Sequence, residues 1–148
     1  MMRTLGYGVS LETPMKKDPV QFVGCSFVDD TDLLQTPALG STPLAQCQQT
    51  MQDFIDAWSG GLRAAGGALV PSKSWIYPIE FQFDRQGTPT YKSPNNMDLQ
   101  FSVKDENNTR QHLAQVHPST AKETLGVYLA PDGNEVGQIN YLKSKIAK

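Results

Sequence analysis

The segment Gln21-Phe-Val-Gly-Cys-Ser-Phe-Val-Asp-Asp-Thr-Asp-Leu-Leu-Gln35 decides the fold prediction, because two apolar runs meet there at a pair of adjacent acids. A strand that is buried on one face tolerates carboxylates only where it leaves the core, and a tight turn holds them in a fixed direction. We therefore predict a buried strand from Val20 to Phe27, a partner strand from Thr31 to Thr36, and a hairpin bend that carries Asp29 and Asp30. Hard divalent ions such as Mg²⁺ prefer oxygen ligands of this kind, so the bend is a candidate metal site.

Length and charge limit the classes of protein to which the chain can belong. Its 148 residues suffice for one domain with a core, or for a piece of a larger domain. The formal charge of −2 and a pI near 5.6 give no overall basic footprint, so net charge neither supports nor excludes a nucleic-acid partner. No apolar stretch has the length of a membrane span or the form of a signal peptide. We expect an intracellular chain, cytoplasmic or nuclear, that does not contact a membrane.

A long amphipathic helix is predicted after the hairpin. Pro43 suits the first turn of a helix, where a missing amide N–H costs least, and Gly66-Gly67 form a natural end because glycine adopts the left-handed conformation without strain. Between these limits the apolar residues fall on one helical face. They are Leu44, Cys47, Met51, Phe54, Ile55, Trp58 and Leu62.

The rest of the chain is predicted to be mainly β-structure, which makes the fold class α+β. Short strands are expected at 68–70, 75–83, 90–91, 97–103 and 124–129, separated by turn-forming residues, and a short helix is expected at 110–116. A last helix is predicted from Glu135. It carries Ile139, Leu142 and Ile146 on one side, with Lys143, Lys145 and Lys148 around them.

Three segments, in the same order along the chain, resemble motifs of reverse transcriptases. Phe27-Val-Asp-Asp30 resembles the aromatic-x-Asp-Asp motif at the hairpin turn of the palm subdomain. Gly66-Gly-Ala-Leu-Val-Pro-Ser-Lys-Ser74 resembles the following motif, in which a helix end with glycine leads to a short strand and a lysine. Thr124-Leu-Gly-Val-Tyr-Leu129 is similar to the leucine-glycine hairpin that grips the primer terminus. The resemblance extends from about Leu5 to Lys145 and is closest to the enzymes of eukaryotic retroelements.

The resemblance implies a role for each matched residue. Asp29 would be a ligand of catalytic Mg²⁺. Asp30 would lie beside it at the tip as the second carboxylate of the catalytic and metal site, where this residue more often shapes the electric field than ligates directly. Lys73 would be a general acid that protonates the departing pyrophosphate. Leu125 and Gly126 would form part of the primer grip, where Gly126 allows a close approach of the backbone to the primer strand.

The same resemblance implies the architecture and the reaction. It predicts a palm-like antiparallel sheet with a catalytic-type hairpin and packed helices, with the second half of a palm in residues 1–83. Residues 84–148 would form a palm-to-thumb region with the primer-grip-like hairpin and the terminal helix. The reaction would be attack of a primer 3′-hydroxyl on a deoxynucleotide, on an RNA or DNA template and with two Mg²⁺ ions. A second carboxylate-bearing strand is not found in this sequence, so we expect a fragment that is inactive alone.

Other interpretations of the same residues remain open. The Asp29-Asp30 bend is also typical of an ordinary turn with solvated acids, in a non-catalytic α+β module that serves structure or partner binding. A different metal-dependent phosphotransferase with a carboxylate hairpin is a third possibility. Asp32 is not expected to be a ligand, because alternation from the turn directs it elsewhere. A phosphate-binding loop at 67–74 is rejected, because Ser72 replaces its second glycine and Pro71 removes an amide N–H.

Overall fold

A computed structural model of the chain describes residues 7–12, 19–27, 29–37 and 44–147. These residues form two helices and short strand pairs, which confirms the α+β fold class. The helices are α1 (Leu44–Ala64) and α2 (Val136–Ile146). The strands are β1 (Val9–Leu11), β2 (Val20–Phe22), β3 (Gly24–Phe27), β4 (Asp30–Leu33), β5 (Trp75–Ile76), β6 (Phe81–Phe83), β7 (Pro89–Tyr91), β8 (Ser102–Lys104), β9 (Arg110–His112), β10 (Ala114–Gln115), β11 (Lys122–Thr124) and β12 (Val127–Leu129).

The described strands pair two by two. The pairs β1–β2, β3–β4, β6–β7, β8–β9 and β11–β12 are antiparallel, whereas β5 and β10 are parallel. The chain divides into two compact units. Unit 1 consists of Met1–Pro71 and Gln100–His112, and unit 2 consists of Ser72–Leu99 and Leu113–Lys148.

The core of unit 1 lies between α1 and the β8–β9 hairpin. Phe54 of α1 and Val103 of β8 are fully buried, and Ile55 and Phe101 are nearly so. The side-chain amide of Gln52 completes this packing, because its Nε2 donates to the Ser102 carbonyl at 2.9 Å and its Oε1 accepts from the Ser102 N–H at 3.0 Å. One face of α1 therefore stabilises β8 both by apolar burial and by backbone hydrogen bonds.

The core of unit 2 is built from single buried residues at the ends of its short elements. Met97, Leu99 and Val116 are its buried apolar side chains, and Pro94 and Pro118 are also buried. The Gln115 Nε2 donates to the Leu99 carbonyl at 2.5 Å. Helix α2 packs on strand β12.

Helix α1 confirms the predicted amphipathic helix and ends as the two glycines predict. Gly66 has a φ of +85°, its N–H donates to the Arg63 carbonyl at 3.0 Å, and the Gly67 N–H donates to the Leu62 carbonyl at 2.8 Å. This pair of bonds is a Schellman cap, which satisfies carbonyls that the helix end leaves without an intrahelical donor.

Some predicted elements are wrong. Residues 110–116 form β9 and β10 instead of a helix, because the 110–112 segment pairs with β8 and so satisfies its backbone in a ladder. Residues 68–70 form no strand. The predicted 75–83 strand is interrupted between β5 and β6, where Pro78 is buried and cannot donate to a ladder.

Candidate functional site

Strands β3 and β4 form a hairpin whose tip carries the two predicted carboxylates. Phe27 pairs with Asp30 and Gly24 with Leu33, so the connection consists of position 28 and Asp29. Val28 itself lies outside the described residues. Asp29 and Asp30 are both exposed. The predicted hairpin bend is therefore confirmed, with two adjacent acids directed into solvent at its end.

The strand that leads into this bend is not the buried strand that its apolar residues predict. Cys25, Ser26 and Phe27 are exposed, and Phe27 is 63% accessible. In the described part of the chain β3 pairs only with β4, so the hairpin is a free two-stranded ribbon rather than a strand inside a larger sheet. Apolar composition predicts burial only where another element covers the strand, and here none of the described elements does.

Alternation along β4 places Asp30 and Asp32 on the same face of the hairpin. Their cross-strand partners Phe27 and Cys25 share that face, and the Cys25 Sγ donates to Asp32 Oδ2 at 3.9 Å. Counted from Asp30, Asp32 therefore lies on the shared face, which a period of two from Asp30 could have predicted. That Asp32 is not a ligand stays a prediction.

The opposite face of the hairpin holds the strands together near the tip. The hydroxyls of Ser26 and Thr31 lie 2.9 Å apart across the strands, and the Ser26 Oγ also donates to the Asp30 carbonyl at 3.3 Å. At the base, the Leu34 N–H donates to the Val23 carbonyl at 3.0 Å. A side chain at Gly24 would collide with the Asp32 carbonyl, so this position requires glycine. These contacts fix the direction in which the tip presents its carboxylates.

The chemistry of these side chains suits a hard divalent cation. Carboxylate oxygens are the ligands that Mg²⁺ prefers, and an exposed tip leaves room for the waters that Mg²⁺ keeps. Among the residues that the structure describes, no group of three or more Asp, Glu, His or Cys side chains is placed to hold a metal ion. Asp29 and Asp30 would thus supply part of a ligand set.

Lys73 lies in unit 2, at the end of a short 3₁₀ helix that spans Pro71–Lys73. Its side chain is exposed. The 3₁₀ helix replaces the strand that the family motif implies before this lysine. The role of Lys73 as a general acid stays a prediction.

Leu125 and Gly126 form the two-residue turn between β11 and β12, since Thr124 pairs with Val127. Both have positive φ angles, +53° and +78°, which is the requirement of the type I′ hairpin turn. A leucine in the left-handed region is uncommon and carries steric strain. The structure thus has a hairpin at the predicted leucine-glycine position, and Leu125 is exposed at its tip.

Comparisons with known proteins give no relative from which a role could be transferred. No family model matches the chain, no curated protein matches it by sequence, and no solved structure matches its fold. Within the described ranges, neither helix has the length and apolar character that crossing a membrane requires.

Proposed function

We propose that the chain contributes the Asp29-Asp30 hairpin to the nucleotidyl-transfer site of an RNA-directed DNA polymerase of the reverse-transcriptase kind. The observation that carries the proposal is the tip itself: Asp29 lies in the two-residue connection, and Asp30 is the first residue of β4, in a hairpin of fixed register. The amphipathic helix α1 comes after the hairpin in the chain and the leucine-glycine turn comes after α1, which is the order that the family motifs predict.

Each residue of the proposed site has a task that its position allows. The Asp29 carboxylate would hold one oxygen ligand position, and Asp30 would add a second negative charge on the face that it shares with Asp32. The Ser26–Thr31 contact would keep the tip from twisting, so that the ligand oxygen stays in place. Bound Mg²⁺ would supply activation of the primer hydroxyl and stabilisation of the leaving oxygens.

The proposed site requires carboxylates from a second position as well. The described residues bring no third ligand to the tip, and a pair of exposed acids binds Mg²⁺ weakly. We therefore expect the 148-residue chain to be inactive as a polymerase by itself. Its substrates in a complete enzyme would be a primer, an RNA or DNA template, and deoxynucleotides.

Two further residues have proposed roles in unit 2. Lys73 would protonate the departing pyrophosphate, for which its exposed ammonium group is available. The β11–β12 turn would contact the primer strand through the backbone at Gly126, where no side chain prevents close approach.

Metal binding at the tip is tested with Mn²⁺ as a paramagnetic substitute for Mg²⁺ and the isotope-labelled 148-residue chain. We expect line broadening centred on the amide resonances of Asp29 and Asp30, and we expect it to be lost in Asp29→Asn. Asp53→Asn is the matched control, because Asp53 is another exposed acid of unit 1, on α1. Broadening that is spread over all exposed acids, or that survives in Asp29→Asn, would contradict the proposed site.

Activity is tested on a polypeptide that joins the 148-residue chain to an aspartate-bearing strand and helix of the reverse-transcriptase kind. We expect this polypeptide to extend a primer. Asp29→Asn should lower the rate by more than about 100-fold, since even an outer-shell partner of a metal ligand can be worth that much. The Asp53→Asn variant should retain activity. Full activity in Asp29→Asn would leave a non-catalytic module as the better interpretation.

A further inference from the structure

Helix α2 packs on its hairpin through its polar and small residues. The Gln138 Oε1 accepts from the Tyr128 N–H at 2.8 Å, and the Tyr128 and Tyr141 rings lie 5.0 Å apart. Gly137 lies so close to Ala121 that any side chain there would collide with it. The face of α2 that contacts the rest of unit 2 therefore consists of a glycine, a glutamine and a tyrosine.

The apolar residues of α2 lie away from this contact and are exposed. Ile139, Leu142 and Ile146 have accessible fractions of 43%, 48% and 84%. Their spacing of three and then four residues is that of a coiled-coil seam, with isoleucine, leucine and isoleucine at alternating seam positions. In a helix that served only its own unit, this stripe would face the hairpin. The exposure of the stripe indicates that it serves another contact.

Two lysines flank the stripe. At 100° per residue, Lys143 lies on one side of the seam and Lys145 on the other. The Lys145 Nζ lies 5.2 Å from the centre of the Tyr141 ring, and in the described part of the chain neither lysine forms an ion pair with a carboxylate. The positive charges beside the stripe are therefore available to a partner.

We propose that the exposed stripe of α2 docks an amphipathic helix of another polypeptide segment, with acidic residues on both sides of its own apolar seam. The Ile-Leu-Ile pattern fits a helix laid along α2, and Lys143 and Lys145 select the acidic flanks. A second copy in parallel orientation would place these lysines beside those of its partner, which is unfavourable. Because α2 has 11 residues, it offers about three seam positions, and the partner would be the longer helix.

The probe is a synthetic peptide of about four heptads, with leucine at the seam positions and glutamate at the flanking positions. A second peptide replaces every glutamate by lysine, and like charges keep either peptide from pairing with itself. Binding to the isotope-labelled 148-residue chain is measured by titration, and the surface is mapped from amide shifts. We expect the acidic peptide to bind about tenfold more tightly than the basic one, with shifts centred on α2 and with weaker binding at high salt.

Substitutions distinguish the contribution of the apolar stripe to peptide binding from that of the two lysines. Leu142→Ser should weaken binding of the acidic peptide by about tenfold or more, because an apolar seam contact is lost. Leu129→Ser is the matched control, an exposed leucine of the same unit on β12, and it should bind as the parent does. The double variant Lys143→Glu with Lys145→Glu should prefer the basic peptide. Circular dichroism of each variant confirms that α2 is intact.

The remaining outcomes contradict the proposal. Equal binding of both peptides would indicate an unspecific apolar surface. Shifts that centre on residues outside α2 would assign the peptide to another site, and the absence of binding would leave the stripe without this kind of partner. Sedimentation of the free chain completes the test. A dimer that Leu142→Ser dissociates would identify a second copy as the occupant.

Discussion

Two hairpins of this molecule, β6–β7 and β8–β9, have loops of the same geometry, but their strands lie in different environments. In β6–β7 the Asp84 Oδ1 accepts from the N–H groups of Gln86 and Thr88, both at 2.8 Å. In β8–β9 the Asp105 Oδ1 accepts from the two equivalent N–H groups, both at 2.9 Å. The fourth loop residue has positive φ in each, +81° at Gly87 and +62° at Asn108. The same local chemistry has thus produced the same turn twice.

The strands that leave these loops have opposite environments. The β8–β9 hairpin of unit 1 lies against α1, with Val103 fully buried and Arg110 bonded to Asp56 at 2.8 Å. The β6–β7 hairpin of unit 2 exposes Phe81 and Phe83 to solvent. A hairpin loop is therefore specified by a few residues, whereas the stability of its strands depends on the element that covers them.

Core truncation gives the largest expected difference between the two hairpins. Val103→Ala should lower the free energy of unfolding by about 2 kcal/mol, through lost burial and a residual cavity. Phe83→Ala removes a larger side chain, but it is 70% exposed, and the expected change is within about 0.5 kcal/mol. Urea unfolding curves measure both. Equal losses would mean that β6–β7 is covered in solution.

The side-chain amide of Gln52 gives the next difference, because it bonds α1 to the backbone of β8 within unit 1. Gln52→Ala should cost about 1–2 kcal/mol, since it leaves a backbone N–H and a carbonyl of Ser102 without their partner. Gln49→Ala is the matched control on the exposed side of α1, where Gln49 bonds only to Asp53, and it should cost a few tenths of a kcal/mol. A loss at position 49 as large as that at position 52 would refute the assigned role of Gln52.

The positive-φ position sharpens the comparison at the level of the loop alone. Gly87→Ala should destabilise the β6–β7 turn by about 1 kcal/mol, because a Cβ is strained in the left-handed region. Gly87→Asn should cost less, as Asn108 occupies the same position in the other loop. Amide hydrogen exchange of Asp84 and Thr88, whose backbone groups bond across the loop at 3.1 Å, reports the change. Equal exchange in the alanine and asparagine variants would contradict the shared geometry.

Lowering the pH should have the smallest effect on stability, and it should affect both loops in the same way. Backbone hydrogen bonds lower the pKa of both loop acids. The largest contribution comes from Thr88 at Asp84 and from Thr109 at Asp105, where the charge of Arg63 has a weaker effect in the same direction. Because the folded pKa is lowered, this stabilisation is complete above the unfolded pKa and is lost as the pH falls through the folded value. Carboxyl carbon shifts followed by NMR should titrate below the normal range at both positions. A normal titration at Asp84 alone would show that its loop opens without a covering helix.

Much of the fold is predictable where a local pattern decides the structure. Helix α1, its end at Gly66-Gly67, the Asp29 bend and helix α2 follow from spacing and turn residues. Tertiary context decided the failures. Residues 110–112 became a strand because β8 offers them a partner, and Phe27 is exposed because nothing among the described residues covers β3. The outward stripe of α2 was not predictable, since an apolar periodicity identifies the face and not the side on which its partner lies.

The candidate site was predictable to the same extent. The two tip acids follow from the turn, and their exposure is as expected. The face of Asp32 was not predictable without the strand register, because the face of each β4 residue depends on where the pairing starts, and that is set by the Phe27–Asp30 register.

Gly24 stabilises this strand register for a steric reason. Because the Asp32 carbonyl occupies the space of a side chain at position 24, a slip by one residue would bring Cys25 or Val23 against the opposite backbone and be rejected on steric grounds. Such a slip would also turn Asp30 to the other face of the ribbon. The direction of the carboxylates at the tip therefore depends on Gly24, at the other end of the hairpin, although Gly24 has no side chain that could contact them.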